Sequence, residues 1–160
     1  MRSSITIRPA QLTDAPAFRE LRLEALRTHP EAFLADYATN EAEPITFWEG
    51  RIADTGSHSA IYFAAHEDTL IGMCGIRRGT SPKIEHGALI WGVYVRPSWR
   101  GRHVAEDMLE ACVGWARENG VSVVKLAVVS TNGGAIRCYL RCGFQVYGVE
   151  PQVLFHDGVM

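Results

Sequence analysis

Apolar and polar positions alternate over residues 5–9 (ITIRP) and the run stops at Pro9, which predicts a strand. A helix follows over residues 12–30. Thr13 or Asp14 can cap it, Pro16 suits its first turn, and Pro30 ends it. Phe18, Leu21, Leu23, Ala25 and Leu26 give this helix a broad apolar side. Residues 31–43 carry no clear period and read as irregular. A shorter helix is predicted over 44–54, where Phe47, Trp48, Arg51 and Ile52 fall at helical spacing. Residues 59–68 and 69–79 read as two strands joined by a tight turn at Glu67-Asp68. Residues 86–97 (HGALIWGVYVRP) form the longest predicted strand, interrupted by Gly92; a glycine inside a strand marks a bulge or a close backbone approach. Residues 103–119 are amphipathic and closed by Gly120, a helix. Residues 121–129 read as a buried strand, 132–143 as a short helix ending at Gly143, and 144–148 and 151–155 as final strand pieces.

This order implies a mixed α/β fold. Three consecutive strands form an antiparallel meander, and the strand–helix–strand unit from 88 to 129 forms a right-handed parallel crossover. With 160 residues, 47% hydrophobic and 21% charged, the chain has the size and composition of one soluble globular domain spanning residues 1–160. No apolar run reaches the roughly 18 residues of a membrane span, and residues 1–11 lack the apolar stretch of a signal peptide. Both observations point to the cytoplasm and to no membrane partner. The formal net charge of −2 excludes the global basic field of a nucleic-acid binder, so any anion site must be local. Cys74, Cys112, Cys138 and Cys142 read as reduced, buried thiols, and no metal-ligand spacing accompanies them.

A local anion site is what residues 96–105 (RPSWRGRHVA) offer. The N-terminus of a helix presents unpaired N–H groups and a partial positive charge. Here Arg100, Gly101 and Arg102 precede it: the glycine permits a tight turn and the arginines add charge. The segment matches neither the P-loop nor the dinucleotide fingerprint. After the next strand comes NGGAIRCYLRCGF, in which Asn132 starts a helix, Tyr139 stands seven residues on, and Gly143-Phe144 closes it.

Together the two segments resemble the GNAT superfamily, the GCN5-related N-acetyltransferases. The family's cofactor loop, Arg/Gln-x-x-Gly-x-Gly/Ala after Val-x-Pro, meets Val95, Arg96 and Pro97 followed by Arg100 to Ala105. Its later segment, Asn-x-x-Ala-x-x-x-Tyr-x-x-x-Gly-Phe, meets Asn132, Ala135, Tyr139, Gly143 and Phe144. The resemblance implies acetyl-CoA as cofactor and a small-molecule or peptide amine as acceptor, with direct transfer in a ternary complex. It implies that the backbone from Arg100 through Gly101, Arg102, His103 and Val104 to Ala105 holds the pyrophosphate. Val93, Tyr94 and Val95 would pair with the pantetheine arm. Asn132 would bond that arm or cap its helix, and Tyr139 would act as general acid or serve as a core aromatic. The alternative is a non-catalytic acyl-CoA-binding or regulatory module on the same fold.

Two departures stand out. His103 occupies the first motif glycine, where a side chain either crowds the phosphates or contacts one. Relatives in the family usually add one more strand where this chain reaches Met160: the strand is cut short, missing or supplied by a neighbour, and an uncovered sheet edge invites a homodimer. The acceptor is not written in the sequence. Glu31, Glu85 and His86 are candidate bases or solvated residues, and Phe33, Tyr37, Phe47 and Trp48 read as pocket wall or plain core. Arg77 and Arg78 read as contacts for an acidic substrate group or as a solvated pair.

Overall fold

The computed structural model describes residues 4–160, so the leader assessment on residues 1–11 falls partly outside it. Five strands form one sheet in the order β1-β2-β3-β4-β5: β1 (Ile5–Pro9), β2 (Ser59–His66), β3 (Thr69–Arg78), β4 (Gly87–Val95) and β5 (Val123–Lys125). β1 to β4 pair antiparallel, and β5 joins β4 in parallel after the crossover helix. Five helices flank it: α1 (Ala15–Thr28), α2 (Tyr37–Glu41), α3 (Ile45–Ala53), α4 (Val104–Glu118) and α5 (Gly133–Arg141).

Both faces of the sheet are covered, which is why β2 and β3 read as nearly unbroken apolar runs. Adjacent Phe63 and Ala64 enter opposite cores, as a period of two requires. Ala64, Ile71 and Cys74 meet Met108, Leu109 and Cys112 of α4. Phe63 and Met73 meet Phe18 and Leu21 of α1 and Trp48 of α3. The junction from β1 to α1 is pinned by Asp14, whose carboxylate accepts Arg8 Nη1 at 2.7 Å, Arg8 Nη2 at 2.8 Å and the Gln11 N–H at 2.7 Å. α1 ends at Thr28, since Pro30 cannot continue it.

Four expectations need correction. Residues 37–41 are helical, with Asp36 as the cap: its side chain accepts the Thr39 N–H. β3, at 10 residues, exceeds β4, at 9. The predicted strand over 121–129 shrinks to Val123–Lys125 and is not buried; Val123 is 44% exposed. Residues 144–148 and 151–155 form no strand; Val146, Tyr147, Val149 and Phe155 are exposed, and the described tail makes one bridge, His156 to Val159. Alternation marks a strand only where a partner meets its N–H and C=O groups, and none does here.

Candidate active site

β4 and β5 are paired only from Gly87 to Leu89 against Val123 to Lys125. Beyond Leu89 they part. Residues 90–95 and 126–129 become facing walls of a cavity of about 620 Å³. The opening begins at a bulge. Register on β3 advances from Met73 to Gly75 while β4 retreats from Tyr94 to Trp91, so β4 carries one extra residue. Gly92 supplies it at φ +65°, where an added Cβ would meet Met73 Cε at 3.1 Å and Arg22 Nη1 at 3.3 Å. Only glycine takes that conformation and that space at little cost.

The cavity's second end is the start of α4. Its N-cap residue, His103, makes no side-chain cap hydrogen bond, so the N–H groups of the first turn are left without a capping acceptor, as an anion-binding helix end requires. Its third boundary is α5, where Asn132 Oδ1 caps the helix by accepting the Ala135 N–H at 3.2 Å and Tyr139 lines the wall. A splayed strand pair, a donor-rich turn and a half-buried phenol make one continuous cleft.

The sequence profile of the acetyltransferase (GNAT) family matches residues 16–144. The chain belongs to this family. Over 160 residues it is 26% identical to the L-amino acid N-acetyltransferase AaaT of Escherichia coli (strain K12), covering 98% of this chain and 92% of that protein. It is 37% identical over 76 residues to the L-methionine sulfoximine/L-methionine sulfone acetyltransferase of Pseudomonas aeruginosa, covering 48% of this chain and 40% of that one. The crystal structure of an acetyltransferase of the GNAT family from Streptococcus pneumoniae superposes with a TM-score of 0.84 at 18% identity, covering 97% of this chain and 93% of that one. This GNAT protein is an acetyl-CoA-dependent N-acetyltransferase.

Of the residues expected at the cofactor, Val93, Tyr94, Val95, Arg100, Gly101, His103, Val104, Ala105 and Asn132 line the GNAT cleft. Arg102 does not; its guanidinium lies 4.8 Å over the Trp99 ring. Arg100 is exposed but oriented: Nε donates to the Val95 carbonyl at 2.9 Å, and Nη2 lies 3.1 Å from His29 Nε2. Tyr94 donates to Glu24 at 3.0 Å, and the same carboxylate receives Arg96 Nε at 3.1 Å, which fixes the wall of β4.

The Tyr139 hydroxyl has no hydrogen-bonded partner shifting it; burial pushes its pKa well above the usual phenol range, with the Cys74, Cys138 and Cys142 thiols adding to the effect. A phenol so placed stays protonated at neutral pH. Of the residues expected at the acceptor, Glu31 and Phe33 line the cleft. Trp48 and His86 do not. Trp48 is fully buried and packs edge-on against Phe18 at 5.1 Å, because α3 turns its apolar face into the core. His86 sits before β4, at the end where β4 and β5 are still paired, and its carbonyl accepts the Ser122 and Val123 N–H groups. Glu85 is not in the cleft lining either; its backbone carbonyl receives Arg78 Nε and Nη2.

Sequence reasoning missed His29 and Arg22. His29 lines the cleft through its place just after α1, a position no motif marks. Arg22 had a signal: it stands four residues after Phe18 and four before Leu26, a charge inside the apolar row of a helix.

Proposed function

We propose that the protein acetylates a small-molecule primary amine by direct transfer, acceptor and cofactor being held together in the cleft. The observation that carries this reading is one cavity bounded by the unpaired first turn of α4, the parted β4–β5 seam and the Tyr139 phenol. Bound acetyl-CoA supplies the thioester: an N–C bond forms, the C–S bond breaks, and one proton passes from amine to sulfur.

Each wall then has a task. The backbone from Arg100 to Ala105, with Arg102 and His103 at its rim, takes the pyrophosphate. From Ile90 on, the β4 edge that faces away from β3 has no strand partner among the described residues and offers Val93 to Val95 to the pantetheine amides. Asn132 spends Oδ1 on its cap and keeps Nδ2 for a carbonyl. Tyr139 would give the proton at Oη to the departing sulfur as general acid and be restored by the proton that the amine loses. Glu31 and Phe33 bound the acceptor. The non-catalytic alternative gains nothing from relatives that are themselves acetyltransferases.

Thermal unfolding with and without acetyl-CoA, followed by thiol release across a panel of amines, tests this. Ligand at a hundred times its Kd adds about 2.7 kcal/mol of stability. The panel starts with amino acids, on which the Escherichia coli relative acts. A burst with ping-pong kinetics would reject direct transfer.

The same reading puts the enzyme in the cytoplasm, a reducing compartment in which all four thiols stay free; Cys74 Sγ and Cys112 Sγ share a thiol hydrogen bond at 3.4 Å rather than a disulfide, and Cys142, expected to be buried, is exposed. Among the described residues no helix is long and apolar enough to cross a membrane. A homodimer accounts for two further features: β5 has no partner on its outer edge among the described residues, and the tail after Phe144 exposes apolar side chains. Sedimentation at micromolar concentration decides it; a monomer rejects the dimer.

A further inference from the structure

α1 carries a cation into the core. Arg22 is only 6% exposed, and its Nε and Nη1 are buried without a hydrogen-bond partner. No carboxylate among the described residues offsets its charge; burial first, and Arg51 second, lower its pKa to about 10. Arg51 in turn is lowered by burial and by Arg77. Guanidinium groups thus stand in series with no acid between them. The Arg22 head lies 5.1 Å over the Phe33 ring and 5.8 Å over Trp91, and Arg51 lies 4.4 Å over the same Trp91. Aromatic faces offset part of the cost of burying a cation, but they leave its N–H donors unused.

These cations stand beside the active site. Phe33, Trp91 and Gly92, the residues against Arg22, are also residues of the cleft wall. Arg22 Nη1 comes within 3.3 Å of the space over Gly92, one residue from the Val93–Val95 edge. Arg22 itself does not line the cleft; the Phe33 ring, which does, lies over its guanidinium and has to move aside for a ligand in the cleft to reach it.

We propose that Arg22, assisted by Arg51, binds a carboxylate on the acceptor, so that the substrate class is amines bearing a carboxylate on or next to the amine-bearing carbon. The planar fork of a guanidinium matches the two oxygens of a carboxylate. The adjacency of Arg22 to Gly92 sets the range: an anion held there leaves only a few bonds to an amine facing the cofactor edge. The arginines also lower the pKa of a nearby ammonium by like-charge repulsion, which favours the neutral amine that attacks. This lightens the task of any base; of the three candidates Glu31 lines the cleft, and His86 and Glu85 do not. Of the arginines weighed from sequence, Arg78 is spent on the carbonyls of Ser57 and Glu85.

The inference rests on the N-acetyltransferase reading, and the test separates the two. Thiol release is measured for L-leucine against L-leucinamide and L-phenylalanine against its amide, in the wild type, Arg22→Met, Arg22→Lys and Arg51→Met. The wild type is expected to prefer the acids at least tenfold in kcat/KM. Arg22→Met should collapse that ratio at least tenfold, through KM, with Arg22→Lys in between. Its Tm should hold or rise, because an unpaired buried charge is removed; a purely structural arginine would lower Tm and depress acids and amides alike. Calorimetry of N-acetyl-L-leucine with the CoA-loaded protein gives a readout independent of turnover, and its binding should need Arg22. Amides accepted as well as acids, or binding indifferent to Arg22, overturns the proposal. If no amine releases thiol although acetyl-CoA raises Tm, the activity reading fails instead, and calorimetry still decides Arg22 either way.

Discussion

The imidazole of His103 is bonded to the carboxylate of Glu106, Nδ1 to Oε2 at 2.8 Å, and the other oxygen of Glu106 receives Arg141 Nη2 at 2.7 Å. The ring is thereby turned along α4 and stays 73% exposed. What the histidine costs lies in its backbone, which is left-handed at φ 63°. The glycine of the family motif suits that conformation, and a side chain there costs about 1 kcal/mol. His103→Gly should therefore raise Tm by about 2–4 °C. Because the proposed phosphate donors are backbone N–H groups, CoA affinity should change by less than about tenfold. Scanning fluorimetry and calorimetry check both; a larger gain in affinity would mean that the ring obstructs the phosphates.

Glu106 puts a negative charge on the turn where a pyrophosphate is proposed to lie, and its own pKa is lowered, by Arg141 first and His103 second. Glu106→Gln removes that charge and releases Arg141. CoA should bind about 2–5-fold tighter at low ionic strength, as expected for one charge near a helix N-terminus, and the gain should shrink in about 0.5 M salt. Titrations at two salt concentrations measure it. Weaker binding would show that the Glu106–Arg141 pair instead organises the turn.

Tyr139→Phe deletes a hydroxyl whose shift arises from burial and neighbouring thiols rather than from a partner. If Oη gives up the proton, kcat should fall about 10²-fold or more, with acetyl-CoA affinity held within about threefold. The wild-type rate should show no loss from Tyr139 ionisation between about pH 6 and 9, because the raised pKa keeps the phenol protonated there. In stability the sign is that of a raised group: its contribution is complete below the ordinary value of 10.0 and fades as pH rises beyond it. Single-turnover rates across pH, with Tm alongside, separate chemistry from folding. An unchanged kcat would return Tyr139 to the core aromatics.

The meander, the crossover and the α4 turn were legible because local rules decide them: the apolar run over Ser59–His66, Gly120 at φ +72° behind α4, and Gly92 at the bulge. The motif also located Asn132 and Tyr139, which frame the cleft from α5. What stayed hidden depends on partners. Residues 144–148 alternate as a strand would, yet no edge meets them. Trp48 in α3 and Phe33 between α1 and α2 both read as pocket wall or core, and only the tertiary fold sends one into the core and the other to the cleft. Arg22 is marked by helical period, but that its donors lack partners is a fact of packing alone.

The placement of Arg22 against Gly92 begins at the other end of α1. Asp14 ties β1 to that helix through two bonds from Arg8 and one from the Gln11 N–H, with the side chains 29% and 11% exposed for Arg8 and Asp14. The Arg8 bond is the largest cause of the lowered Asp14 pKa, and burial opposes it. A carboxylate depressed on folding contributes stability that is present above its ordinary value of 3.8 and lost as pH falls through the lower folded value. Asp14→Asn should cost about 1–3 kcal/mol at neutral pH, the range for charge-assisted bonds at a helix start. The gap to the wild type should stay constant from about pH 7 to 5 and narrow below about pH 4, where the wild-type carboxylate protonates. Urea unfolding at pH 7, 5 and 3 measures the two curves. A gap that persists unchanged into acid would mean that the Asp14 charge contributes nothing and that its geometry alone holds the junction.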